Sequence, residues 1–140
     1  MPLNTLTPNL MVKDLHASMD FWCGKLGFSY AMGVDAARNF VQDYDPKADL
    51  VWCHLTLGDA ALMLQRADNM PDDVAEFAGK PTGGTFTLYL QVEDLDDLHA
   101  RLKDVVPTVT PLRTQFYGMK EWYIKDPDGY VVALGQQAQA

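Results

Sequence analysis

Few side chains in this sequence could do chemistry, and most of them have ordinary structural uses. The run Trp52-Cys53-His54-Leu55-Thr56-Leu57 alternates as a strand, so Cys53, Leu55 and Leu57 face a core while Trp52, His54 and Thr56 face the other way. His54 therefore stands on an open sheet face, where a lone imidazole is more often a hydrogen-bonding or stacking group than a metal ligand. His16 and His99 fall in helical patterns beside apolar positions and read as partly exposed helix residues. Cys23 and Cys53 sit in hydrophobic patterns, which suits buried packing thiols of a reducing cytoplasm rather than a disulfide, a metal pair or a nucleophile. In Lys120-Glu121-Trp122-Tyr123-Ile124, Trp122 and Ile124 follow the core parity and leave Glu121 and Tyr123 on the opposite face. Three readings are open for Glu121: it meets a ligand cation, it takes a proton, or it is a surface carboxylate paired with Lys120 or Arg113.

The same parity collects the rest of a face. Asn9 and Met11 come from an opening strand, Met63 and Gln65 from the strand that closes the first half, Tyr89 and Gln91 from the strand that opens the second. The combined set is rich in aromatic and methionine side chains with few polar groups, the makeup of a pocket for a flat, largely apolar molecule. The expected ligand-binding residues are Asn9, Met11, Trp52, His54, Met63, Tyr89, Gln91, Glu121 and Tyr123. No catalytic residue is assigned.

The elements that must position these residues occur twice. Asn9-Leu10-Met11-Val12-Lys13-Asp14-Leu15 and Tyr89-Leu90-Gln91-Val92-Glu93-Asp94-Leu95 each read as a strand ending at an aspartate that can cap the helix behind it. Each half closes with a turn and a hydrophobic strand, Gly58-Asp59 into Ala60–Leu64 and Asp128-Gly129 into Tyr130–Leu134. The first helix carries Leu15, Met19, Trp22 and Leu26 at helical spacing and stops at Gly27; the second carries Leu95, Leu98 and Leu102. Further strands are expected near 28–34, 38–44, 51–57, 60–65, 107–113, 120–125 and 129–135, and Pro8 marks the beginning or exposed edge of the first. The order is βαβββ twice: a single domain over 1–140, with modules at 5–65 and 85–136. Between them, 66–84 is a connecting loop with a short helix from Pro71 to Phe77, and the tail from Gln136 is expected to fray. The fold class is α+β, with Leu10, Val12, Leu90, Val92, Val132 and Leu134 facing the helices. Each half alone is too small to bury a good core, so the two belong together.

Composition excludes several classes of partner. Nearly half of the 140 residues are hydrophobic and about a fifth are charged, enough to build a core. The net charge of −8 argues against nucleic acid or an anionic membrane surface. No apolar run approaches the roughly 20 residues of a membrane-spanning helix, and Met1-Pro2-Leu3-Asn4-Thr5 carries no secretory signal pattern. The expected location is the cytoplasm.

The chain resembles the vicinal oxygen chelate superfamily, the group of glyoxalases, bleomycin-resistance proteins and extradiol dioxygenases. Pro8–Asp14, Phe21-Trp22, Leu26-Gly27-Phe28 and the stretch Phe116–Gly129 carry the likeness, which covers essentially the whole chain. The resemblance implies two βαβββ modules whose strands form a cupped mixed sheet, helices on the outer face and a ligand cavity on the other. It also implies a homodimer, and for the enzymes of the group a divalent metal held from the first and last strand of each module. The corresponding positions here are Thr7, Met63, Thr87 and Ala133. None brings an imidazole, carboxylate or amide, so no metal and no other cofactor is expected.

Two functions from different classes follow. One is a metal-independent small-molecule-binding protein, close in character to the bleomycin-resistance branch, which sequesters an aromatic or cationic ligand and needs affinity alone. The other is a metal-dependent lyase, isomerase or dioxygenase of the superfamily, with a displaced site using His54 or Glu121. A metal-free enzyme with either residue as general base is a third reading. The fold hosts all of these chemistries, so the choice rests on the site.

Overall fold

The computed structural model describes residues 2–139. The chain divides into two compact units, one ending at Thr82 and the other beginning at Gly83. The first contains β1 (Asn9–Val12), α1 (Leu15–Met19), β2 (Ser29–Asp35), β3 (Phe40–Val41), β4 (Leu50–Leu57) and β5 (Ala60–Arg66). The second contains β6 (Thr87–Gln91), α2 (Leu95–Leu102), β7 (Thr108–Thr114), β8 (Met119–Lys125) and β9 (Val131–Gln137). Their strand orders correspond: β1-β5-β4-β2-β3 and β6-β9-β8-β7. In each the opening strand pairs parallel with the closing one and every other pairing is antiparallel. The repeated βαβββ pattern is thus built as two mixed sheets, each with its own hydrogen-bonded ladder.

Each helix covers one face of its own sheet. α1 packs on β4 and β5, where Cys53, Leu55 and Leu64 are wholly buried, and Val12 of β1 is buried with them. α2 packs on β8 and β9 over Trp122, Ile124, Val132 and Leu134, again wholly buried. Burying one such side chain contributes about 1.5–3 kcal/mol, so these clusters set the strand register. Leu10 is buried as well, and Leu90 and Val92 are half-buried.

Several expectations are corrected by the structure. α1 does not continue regularly to Leu26: after Met19 the backbone widens into a π-helical segment, Asp20–Lys25. Two consecutive aromatic residues of this segment, Phe21 and Trp22, are buried. Gly27, at φ 87°, ends the segment as expected. The strand expected over 38–44 is reduced to Phe40-Val41, because Asp35 accepts from the N–H groups of Ala37 and Asn39 and folds the chain into a tight turn. The helix expected from Pro71 to Phe77 is two separate 3-10 turns, Met70–Asp72 and Ala75–Phe77. Asp14 caps α1 by accepting from Ala17 N–H at 3.1 Å, but Asp94 makes no such bond. At α2 the Leu95 N–H donates instead to Gln136 Oε1 at 3.1 Å, and the same amide donates to the Glu93 carbonyl. Gln136 is therefore not frayed; β9 runs on through Gln137, and Ala138 N–H donates to the Gly118 carbonyl at 2.8 Å. Ala140 lies outside the described residues.

Candidate functional site

Register decides which residues share the sheet faces turned away from the helices. In the first unit two cross-strand rows lie side by side: Asn9–Met63–His54–Met32 and Met11–Gln65–Trp52–Val34. The rings of Trp52 and His54 meet edge to face with centroids 6.4 Å apart. Trp52, His54 and Met63 are half-buried. The other end of it is closed. Asn9 Nδ2 donates to Gln65 Oε1, and Gln65 Nε2 donates to Asn69 Oδ1 and to Asp73 Oδ2, all at 2.8 Å. This network holds the 69–73 segment against Gln65, which is 3% exposed, beside Met11 at 6%. Met11 was expected on the open wall; it belongs instead to the covered part.

The second unit carries the more unusual arrangement. Its rows are Tyr89–Ala133–Tyr123–Thr110 and Gln91–Gly135–Glu121–Arg113. Glu121 is only 2% exposed. Tyr89 donates to its Oε2 at 2.6 Å, Tyr117 to its Oε1 at 2.6 Å, and Tyr123 reaches Oε1 at 3.5 Å. Gln115 supplies a further side-chain hydrogen bond. With its amide turned to satisfy both neighbours, Gln115 Oε1 accepts from Arg113 Nη2 at 2.8 Å, so the amide stands between guanidinium and carboxylate. Lys120 is engaged elsewhere, 2.5 Å from Asp96. Glu121 is therefore neither a surface carboxylate nor paired with Lys120 or Arg113; among the described residues it has no ion pair.

Gly135 makes the cluster possible. Tyr89 starts one row away from Glu121 and two strands across, and its phenol crosses over Gly135 to arrive. A Cβ on Gly135 would stand 2.1 Å from the Tyr89 hydroxyl and 2.6 Å from its Cζ. Tyr117 comes from the β7–β8 hairpin tip, where Gly118 N–H donates to Gln115 O at 3.0 Å and turns the chain back. Its ring is 52% exposed, Tyr89 is 42% exposed, and Phe116 beside it is 98% exposed, edge-on to Tyr117 at 5.1 Å.

The electrostatics follow from this geometry. Burial alone would raise the Glu121 pKa, but the hydrogen bonds from Tyr117, Tyr89, Gln115 and Tyr123 together outweigh it and hold the carboxyl below its ordinary range. The same bond to Glu121 pushes Tyr117 up to about 12, with burial adding to it. Tyr89 is also raised, by burial first and then by Glu121. One negative charge is thus fixed on the carboxylate while the Tyr89 and Tyr117 phenols stay protonated.

The remaining candidates have structural uses. His16 Nε2 donates to the Ala48 carbonyl at 2.9 Å and its Nδ1 lies 2.6 Å from the Tyr44 hydroxyl, tying the 44–48 loop to α1. His99 stacks edge-on against Trp122 with centroids 4.7 Å apart. Both cysteines are free thiols, and burial pushes Cys23 up to about 11 and Cys53 up to about 12, which suits packing and not nucleophilic attack. Gln91 is exposed beside Gly135.

The residues at the positions expected to hold a metal do not fit one. Met63 pairs with Asn9 and Ala133 with Tyr89, and Thr7 and Thr87 add only hydroxyls. Asn9, paired with Met63, turns its amide nitrogen to Gln65 Oε1. Among the described residues no three His, Cys, Asp or Glu side chains come together. Sequence reasoning missed Tyr117, Gln115 and Gly135. A glycine inside a hydrophobic strand is a signal of close approach, and Gly135 is one; the tip residues gave no such signal.

Comparison with known proteins agrees with the fold. The pattern of the Glyoxalase/Bleomycin resistance protein/Dioxygenase superfamily matches residues 3–134. The bleomycin resistance protein of Geobacillus stearothermophilus is 25% identical over 135 residues, covering 95% of this chain and 96% of that protein. The bleomycin resistance protein of Staphylococcus aureus gives the same figures. Among solved structures, a protein of unknown function from Agrobacterium tumefaciens superposes with a TM-score of 0.75 at 17% identity, over 98% of this chain and 96% of that one. A glyoxalase/bleomycin resistance protein/dioxygenase from Nocardioides gives 0.70 at 18% identity, over 100% and 87%.

Proposed function

The chain belongs to the glyoxalase/bleomycin resistance protein/dioxygenase superfamily, and from that premise we propose that it is a metal-independent small-molecule-binding protein that sequesters an aromatic or cationic ligand. The observation that carries this reading is Glu121, buried and ionised inside a ring of phenol hydroxyls. A general base works best with a pKa near the operating pH, and a general acid likewise. Here the carboxyl is lowered and two of its phenol partners are raised, so the cluster holds a charge still and is poorly matched to passing a proton. The donor chemistry at Thr7, Met63, Thr87 and Ala133 supports independence from metal. The half-buried Trp52, His54 and Met63 supply apolar contact surface of the kind that gains dispersion energy against a flat ring. Two relatives of similar length carry the name bleomycin resistance protein, which is in keeping with sequestration.

In this reading the protein acts as a homodimer in the cytoplasm; among the described residues no helix is long and apolar enough to cross a membrane. The test is a fluorescence titration of untagged protein against planar antibiotics and aromatic metabolites, with and without EDTA, alongside metal analysis. Saturable binding indifferent to EDTA is the expected result. Binding abolished by EDTA, or stoichiometric zinc, nickel, manganese or iron in the purified protein, would return the chain to the metal-dependent enzymes.

A further inference from the structure

We propose that the open sheet face of the second unit is a subsite for a quaternary or fully alkylated organic ammonium, with Tyr89, Tyr117 and Tyr123 as aromatic walls and Glu121 as the buried counter-charge. The proposal rests on the reading of the chain as a small-molecule binder and adds the charge class of the ligand and the place where it sits.

An ionised carboxylate out of water is costly unless it is hydrogen-bonded and, beyond that, paired. Glu121 has the first and lacks the second: Lys120 is taken by Asp96, and Arg113 is held off by Gln115. The charge is therefore available to a cation from outside the chain. The phenols decide which kind. Their hydroxyls bond both carboxylate oxygens and Glu121 is only 2% exposed behind them, so an ammonium with N–H groups to donate has little access to the oxygens, and its N–H groups would lose water without gaining a partner. A fully alkylated ammonium donates nothing and is attracted by aromatic faces and by the charge behind them. Donation to Glu121 also enriches the phenol rings in electron density, which strengthens that attraction. Tyr89 and Tyr117 retain large exposed ring surfaces to receive it, and Phe116 at the hairpin tip extends the apolar rim. Gly135 is the enabling residue, since any side chain there would push Tyr89 off the carboxylate.

The experiment is an amide NMR titration of the full chain with choline and with its neutral isostere 3,3-dimethylbutan-1-ol. Choline should shift the Glu121 and Gly135 resonances saturably, and the isostere should bind roughly tenfold more weakly or worse. Glu121→Gln, which preserves shape and removes charge, should bring choline down to the level of the isostere. Tyr117→Ala, at the exposed hairpin tip, should weaken choline severalfold and covers the case in which the first variant misfolds. Equal binding of the two probes, or choline shifts confined to the acidic stretch Glu93–Asp97, would overturn the proposal. If a planar aromatic compound binds and choline does not, the ammonium subsite fails and the broader binding function stands. If neither class binds, both fail.

Discussion

Glu121 is buried because a glycine fourteen positions along the chain leaves a gap for a tyrosine from a third strand. Removing the gap is the sharpest test of that dependence. Gly135→Ala should displace Tyr89 from the carboxylate and cost about 1–3 kcal/mol, the range for overpacking, read as a lower urea midpoint. An unchanged midpoint would mean that Tyr89 can bond Glu121 by another path. The lowered Glu121 pKa has a definite pH signature. Because the folded value lies below the unfolded one (about 4.3 for a free Glu), its contribution is complete above the unfolded value and is lost as pH falls through the folded value. The stability difference between wild type and Glu121→Gln should therefore be flat at neutral pH and shrink only in acid; a difference that shrinks between pH 6 and 8 would contradict the assignment (those bounds being roughly the range where carboxylates stay ionised). On the first unit, Trp52→Ala should cost about 2 kcal/mol or more in affinity for a planar ligand, roughly thirtyfold. If thermal stability falls instead and affinity holds, Trp52 is a packing residue.

The two helices begin with the same sequence signal and are held in different ways. Leu-x-Val-x-Asp-Leu precedes both, yet only the Asp14 side chain accepts a bond from its own helix. At α2 the work passes to Gln136, from the last strand of the same unit. Asp14→Ala should destabilise by about 1 kcal/mol, as the loss of a cap does, while Asp94→Ala should cost much less. Gln136→Ala should exceed Asp94→Ala, since it frees both the Leu95 N–H and the Glu93 carbonyl; the reverse order in chemical denaturation would refute this division. The π-helical turn shows the same precedence of packing over local pattern. Phe21 and Trp22 are adjacent in sequence and both buried where the backbone widens.

At the scale of the molecule, the acidic chain presents open sheet edges at β1, β3, β6 and β7. Such edges invite a partner, and the proposed homodimer should appear in sedimentation at micromolar concentration; a lone 15.6 kDa species would contradict it. The duplicated strand and turn patterns were legible in the sequence, and with them the two βαβββ units and the core faces of β1, β4, β6, β8 and β9, apart from Leu57 at the end of β4, which is 40% exposed. These are properties of local period and residue type, which alternation along a strand carries directly. The covering of Met11, the handover of a cap from Asp94 to Gln136 and the shrinking of β3 were not legible. Nor was the ring around Glu121, where parity put Tyr89, Glu121 and Tyr123 on one face but said nothing of Gly135 and Tyr117. Parity tells which side of a sheet a residue takes. Which residues meet there depends on the register between strands distant in sequence, and only the folded chain sets that, through the packing of its helices and the gap that one missing side chain leaves.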